Sequence, residues 1–210
     1  MIGSGLKKLA NENGMKVAQG VAYGSLQGFA ATMCEGSGWK SITFSTVITD
    51  PEKKDLFMQN VNSVDIQRVY RVQSLNIAPR NIQVVFLDNP GTMKKIQEFL
   101  VWFIPLLRQA EATTANVCPE CGGEVISGRW VMIDGVAHHM HDSCAQLVSS
   151  QISEENDRRV EEAKGSYFTG FIGALLGAVI GAIVWAIVLN MGYVASVVGL
   201  LIGFLALKGY

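Results

Sequence analysis

The chain has 210 residues and a mass of 22.8 kDa, with 17% charged residues against roughly 25% in ordinary soluble chains, and a mean hydropathy of +0.26. From Ser166 to Leu207 there is no Asp, Glu, Lys, Arg, His or Pro, a composition that excludes a wholly soluble globule. Setting Lys208 aside leaves 16 basic against 18 acidic residues in the first 165, which excludes a basic footprint for nucleic acid, and four cysteines are too few for a disulfide-dense secreted scaffold.

Residues 1–14 carry Lys7, Lys8 and Glu12 and no apolar run of useful length, so no signal peptide is expected there and the domains outside the membrane are expected in the cytoplasm. The segment predicts a short helix, Leu6 and Leu9 inward, stopped at Asn13-Gly14. Residues 17–23, 29–35 and 41–48 are short apolar runs bounded by glycines or polar turns and predict three strands. Asp50-Pro51-Glu52 then starts a helix, with Asp as cap and Pro at the first position, carrying Leu56, Phe57 and Val61 to about Asn62. Residues 64–72 are ambiguous, with a second helical piece as one option. Two more strands are expected at 73–77 and 81–87, joined by Ala78-Pro79-Arg80.

Asn89-Pro90-Gly91-Thr92 opens another helix by the same cap-and-proline logic. Met93, Ile96, Phe99, Leu100, Phe103 and Leu107 recur on one face, and Pro105 is expected to kink or end it. The expected domain, 1–110, is therefore α+β, an antiparallel sheet with helices in the order αβββαββα. In that order it resembles the secretion chaperones and the YbjN-type domains; the resemblance implies helices covering one antiparallel sheet.

A polar, alanine-rich linker is expected at 111–116, then a cysteine-rich module at 117–147. Cys118-Pro119-Glu120-Cys121 is followed, after nineteen residues, by His141-Asp142-Ser143-Cys144. Two such pairs supply the four corners of a tetrahedral zinc site, with ligands roughly 2.0–2.3 Å from the metal. His138 and His139 are alternative ligands in place of His141, and Cys118 with Cys121 is a redox pair in a competing reading. Between the pairs, 124–126 and 129–133 predict a hairpin, with Asp134-Gly135 as a further turn signal. Ser143 with Gln146 forms a capping box that places Cys144 in the first turn of a helix. Turn, hairpin and helix in this order resemble a treble clef, and the spacing with its His-x-x-Cys close resembles the first zinc half of a LIM domain. The second LIM half is absent.

Three thiolates and an imidazole would leave no open position for water, so a structural Zn2+ is expected. No His-Glu-x-x-His occurs and no His-x-Glu follows any histidine. Cys34, in an expected strand, is taken as a small buried hydrophobe.

Residues 148–165 form an expected charged helical stalk with Glu154–Arg158, Glu155–Arg159 and Arg158–Glu162 at i,i+4 spacing. Residues 168–189 number 22, about 33 Å as a helix, matching a hydrocarbon core of about 30 Å. Residues 193–207 supply a shorter second segment, so a transmembrane helical hairpin is expected over 166–208, with 190–192 as the turn. Arg158, Arg159, Lys164 and Lys208 flank the pair, which puts both ends in the cytoplasm. Gly173, Gly177 and Gly181, with Gly170 upstream, and Gly199 with Gly203, lie four apart and allow close helix approach within the hairpin or between copies. The whole chain resembles bacterial two-span zinc-knuckle membrane proteins. The expected function is non-enzymatic: a zinc-binding protein of the cell membrane, held in the lipid bilayer, whose α+β domain binds a protein partner and no nucleic acid. The alternative is an oligomeric membrane assembly or transport component. An enzyme would draw on Arg68, Arg71, Arg80 and Asp88, which are otherwise surface charges.

Overall fold

A computed structural model describes the backbone of residues 2–190 and, within that range, the side chains other than those of 162–169, 180 and 183–190. The chain divides into two compact units, Met1–Leu147 and Val148–Tyr210. In the first, α1 (Ser4–Glu12) precedes four strands, β1 (Lys16–Ala18), β2 (Val21–Leu26), β3 (Phe29–Gly36) and β4 (Trp39–Ser45). Helices α2 (Pro51–Asn62) and α3 (Ile66–Tyr70) follow, then β5 (Val72–Ile77), β6 (Ile82–Leu87) and α4 (Thr92–Gln109). A hairpin of β7 (Arg129–Ile133) and β8 (Val136–Met140) leads to α5 (Asp142–Asn190).

The fold is α+β, with all six strands of the main sheet antiparallel in the order β1-β2-β3-β4-β6-β5. It departs from the expected αβββαββα order by one strand and one short helix. The run 17–23 is two strands rather than one, because Gln19 (φ 51°) and Gly20 (φ 82°) form a two-residue turn. Gln27-Gly28 and Asp134-Gly135 repeat the device, both central residues at positive φ, which is the twist a tight hairpin requires. In the ambiguous stretch, Asp65 caps α3 by accepting the Arg68 N–H at 3.1 Å.

The cap at Asp50 forms as its residues dictate, its carboxylate accepting from Glu52 N–H at 2.9 Å and Lys53 N–H at 3.3 Å. Asn89 does not cap α4. The helix starts at Thr92 after Gly91 in a left-handed conformation, and the Thr92 hydroxyl donates to the Leu87 and Asn89 carbonyls. Pro105 does not end α4, which continues to Gln109.

The two faces of the sheet are buried differently. On one face Leu26, Phe29, Ala31, Met33, Ile42, Phe44, Ile82, Val84 and Phe86 pack under α1, α2 and α4 in a single core. Phe103 sits at its centre, 0% exposed, with ring centroids 4.8 Å from Phe99 and 5.7 Å from both Phe44 and Phe57. At its end Lys40, itself buried, bonds Glu35 at 2.9 Å and Asp88 at 2.8 Å. On the opposite face β3 and β4 present Ala30, Thr32, Ser41, Thr43 and Ser45, which are also buried. β8 packs across β3 and β4 and reaches β2. Small side chains let that second layer approach closely.

Among the described residues, no helix is long and apolar enough to cross a membrane. The expected first span lies partly, and the second segment with its glycines wholly, outside the residues whose side chains are described.

Replacing Phe103 by Ala is expected to cost about 3–5 kcal/mol in urea unfolding, against less than about 0.5 kcal/mol for Val101→Ala on the exposed side of the same helix. Equal midpoints for the two variants would contradict this assignment of the core.

Candidate metal centre

The first ligand pair is built by a backbone turn. Val117 bridges Glu124, and between them the Cys118 N–H donates to the Gly123 carbonyl and the Gly122 N–H to the Cys118 carbonyl, both at 2.9 Å. Gly122 sits at φ +71°, a conformation its missing Cβ permits. The second pair straddles a strand end and a helix start. His141 directly follows β8, and its carbonyl accepts the Ala145 N–H at 2.9 Å, so it occupies the N-cap position of α5. Cys144 falls in the first turn. Ser143 lies inside the helix rather than capping it, and Asp142 is ion-paired with Arg129.

Cys118, Cys121, His141 and Cys144 converge, all four ligand atoms within 4.8 Å of one another. The Sγ of Cys121 is 3.4 Å and that of Cys144 is 4.0 Å from His141 Nδ1. Zinc bonds of ~2.3 Å to sulfur and ~2.0–2.1 Å to nitrogen place S and N roughly 3.6 Å apart at a tetrahedral angle. The observed spacings bracket that edge, so the set is close enough to bind a metal ion such as zinc. The other ring nitrogen, His141 Nε2, is 3.0 Å from the Glu124 carbonyl. A ligating imidazole needs such an acceptor to fix its tautomer and leave Nδ1 free for the metal. A backbone carbonyl carries no sequence signature, so this partner is not legible in the sequence.

Cys118 and Cys144 are pushed in opposite directions. At Cys118 burial opposes ionisation, but backbone hydrogen bonds at Cys121, His141 and Glu120 and a contact from the Cys121 side chain outweigh it and bring the thiol down to about 6. Cys144 is pushed up to about 11 by burial and by the neighbouring sulfurs of Cys121 and Cys118. His141 is raised by its bond to the Glu124 carbonyl and by the Cys118 and Cys121 side chains. The lowered pKa favours the anionic form of Cys118 near neutral pH, while a divalent ion must displace the proton of Cys144.

The other sequence candidates lie elsewhere. His138 Nδ1 is 2.6 Å from Ser45 Oγ, in the seam between hairpin and sheet, and burial followed by the charge of Arg80 lowers its pKa. His139 donates from Nδ1 to the Ala115 carbonyl at 3.0 Å and stacks on Trp130 at 4.9 Å. Cys34 is half-buried, its Sγ 3.0 Å from Ser41 Oγ. Arg68, Arg71, Arg80 and Asp88 form no common site: Arg71 donates to the Pro90 carbonyl, Arg80 lies 3.9 Å from Glu120, and Asp88 is held by Lys40.

The expected linker 111–116 is stitched to the sheet. Thr113 exchanges backbone and hydroxyl hydrogen bonds with Thr46 and Val47 at 2.8–3.0 Å, and the Ala115 N–H donates to the Gly28 carbonyl at 2.8 Å. Comparison with protein-family models, with curated proteins and with solved structures finds no match.

Apparent zinc affinity is expected to rise steadily between pH 6.5 and 8.5, because Cys144 stays protonated over that range without metal. Cys118 adds to the slope only below about pH 6, where its thiolate is lost. Calorimetry at pH 7 in buffers of different ionisation enthalpy checks this: binding with no proton release would contradict the assignment.

Proposed function

We propose that this chain is a non-enzymatic, membrane-anchored zinc protein in which the metal is structural and the α+β domain serves a protein partner. The observation that carries the reading is the donor set. Three sulfurs and one imidazole lie within 4.8 Å of one another, close enough to serve as the corners of a tetrahedron, and Nε2 of the imidazole is already committed to the Glu124 carbonyl. Four protein ligands fill the coordination sphere of zinc and leave no position for a reacting water. The resemblance to a treble clef and to a LIM half-site agrees with such a role.

The anchor is supported by the sequence and by one feature of α5. Residues 168–189 contain no charge, and within α5 Phe171, Ile172, Leu175, Leu176 and Val179 are 43–65% exposed. A helix apolar on all sides suits hydrocarbon rather than water. Cytoplasmic orientation follows from Arg158, Arg159 and Lys164 ahead of that segment and suits reduced thiols.

The second reading, an oligomeric assembly, is favoured by the glycines. Added Cβ atoms at Gly170, Gly173, Gly177 and Gly181 would meet nothing within 4 Å among the described residues, so that helix face is open to close packing. Substituting Gly177 by Leu and following crosslinking in bilayers separates the two readings: lost oligomers favour assembly, and a monomer throughout favours a simple anchor.

Metal analysis of the intact protein purified from membranes is expected to give about one zinc per chain. Cobalt substitution should give the spectrum of a tetrahedral three-thiolate, one-imidazole site. A spectrum with bound water, or a chain that partitions into the aqueous phase without detergent, overturns the proposal.

A further inference from the structure

We infer that metal binding and the seating of the β7–β8 hairpin on the outer face of the sheet are one coupled event, making the site a metal-operated latch on the α+β domain, an inference that rests on the zinc reading above. The hairpin lies in the chain between the two ligand pairs, and its last residue, Met140, is directly bonded to the ligand His141. Closing the tetrahedron therefore fixes the end of β8. Three and four residues before His141, the same strand holds the sheet. The Ala137 N–H donates to Thr32 Oγ1 at 2.7 Å in a buried seam, and His138 meets Ser45 at 2.6 Å. One strand is thus gripped by the metal site at its end and by β3 and β4 along its length.

Neither grip suffices alone. The buried core of the metal module consists of Cys118, Val125, Met140 and Ala145, far too little apolar surface to hold thirty residues in place. An isolated two-stranded hairpin is marginal in water. The outer face of the sheet offers mainly small hydroxyl side chains, which hold a strand by hydrogen bonds and give little hydrophobic adhesion. A weakly held strand and a weakly held knuckle become firm together. By linkage, whatever factor the metal adds to the seating, the seating must add to the metal affinity.

The consequence is functional. Loss of the metal uncovers Ala30, Thr32, Ser41, Thr43 and Ser45, a patterned sheet face that is buried when the latch is closed. Metal occupancy thereby sets which surface the α+β domain offers.

The test uses the full chain in detergent or nanodiscs, with zinc as the probe. Thr32→Val and Ser45→Ala remove hydroxyls on the sheet that touch no ligand. Each is expected to weaken zinc binding about three- to tenfold in competition with a chromophoric chelator, the range one hydrogen bond spans. Thr32→Ser, which keeps the hydroxyl, should restore affinity, and Gln73→Ala on exposed β5 should leave it unchanged. Stripping zinc from the unsubstituted protein should speed hydrogen exchange in peptides covering 129–140 at least tenfold, with 82–87 far less affected. That measurement decides the matter by itself if a substituted chain fails to fold. Stoichiometric zinc binding with unaltered affinity in both variants, or hairpin exchange indifferent to zinc, overturns the latch alone. A protein that binds no zinc overturns the metal reading and the latch together.

Discussion

The central strands β3 and β4 are buried on both faces, and the rest of the domain follows from that constraint. A sheet face carrying Phe29, Ala31, Met33, Ile42 and Phe44 attracts helices by hydrophobic burial alone. A face carrying Ala30, Thr32, Ser41, Thr43 and Ser45 does not, since its gain on leaving water is small and its hydroxyls need partners. The layer above it must supply hydrogen-bonding groups at defined places. β8 does so through the Ala137 amide and the His138 ring, and residues 113–115 complete the cover from one side. No side-chain N or O atom buried among the described residues lacks a partner.

Local signals in the sequence were legible where a single residue type decides the outcome. Asp50-Pro51 marked α2 because a carboxylate cap and a proline at the first helical position satisfy backbone needs without any tertiary help. The two cysteine-containing pairs were legible for the same reason: ligand spacing is local geometry. The strand count failed at Gln19-Gly20, since glutamine rarely accepts a left-handed backbone and does not advertise a tight turn the way asparagine or aspartate does. Asn89-Pro90 misled in the opposite direction. Its proline belongs to a turn that Thr92 closes by bonding back to Leu87 and Asn89, a tertiary choice invisible to cap rules.

Less legible was everything that involves the second face of the sheet. The runs 29–35 and 41–48 read as strands from their bounding glycines and polar turns, which say nothing of what covers either face. The sequence offers His138 and His139 only as spare ligands, whereas they serve as bridges from the hairpin to Ser45 and to Ala115. Residues 111–116 looked like a linker because alanine, threonine and asparagine carry no periodicity. Their role is set by the backbone groups of Val47 and Gly28 across the fold, which composition does not encode.

A metal bound in this position would solve a size problem. The chain between Cys118 and Cys144 is too small to build a hydrophobic core of its own, and a conventional remedy would be a disulfide. A disulfide would tie only two points. Four ligands would tie the knuckle, the end of β8 and the first turn of α5 to one centre. Loop-closure entropy grows only slowly with length, so a tie spanning the whole hairpin costs little more than a short one and orders far more chain. The burial gradient across the ligands, with Cys118 fully enclosed and Cys121 exposed, places the firmest anchor on the side of the module's small core. An ion bound from that side would organise the chain around it.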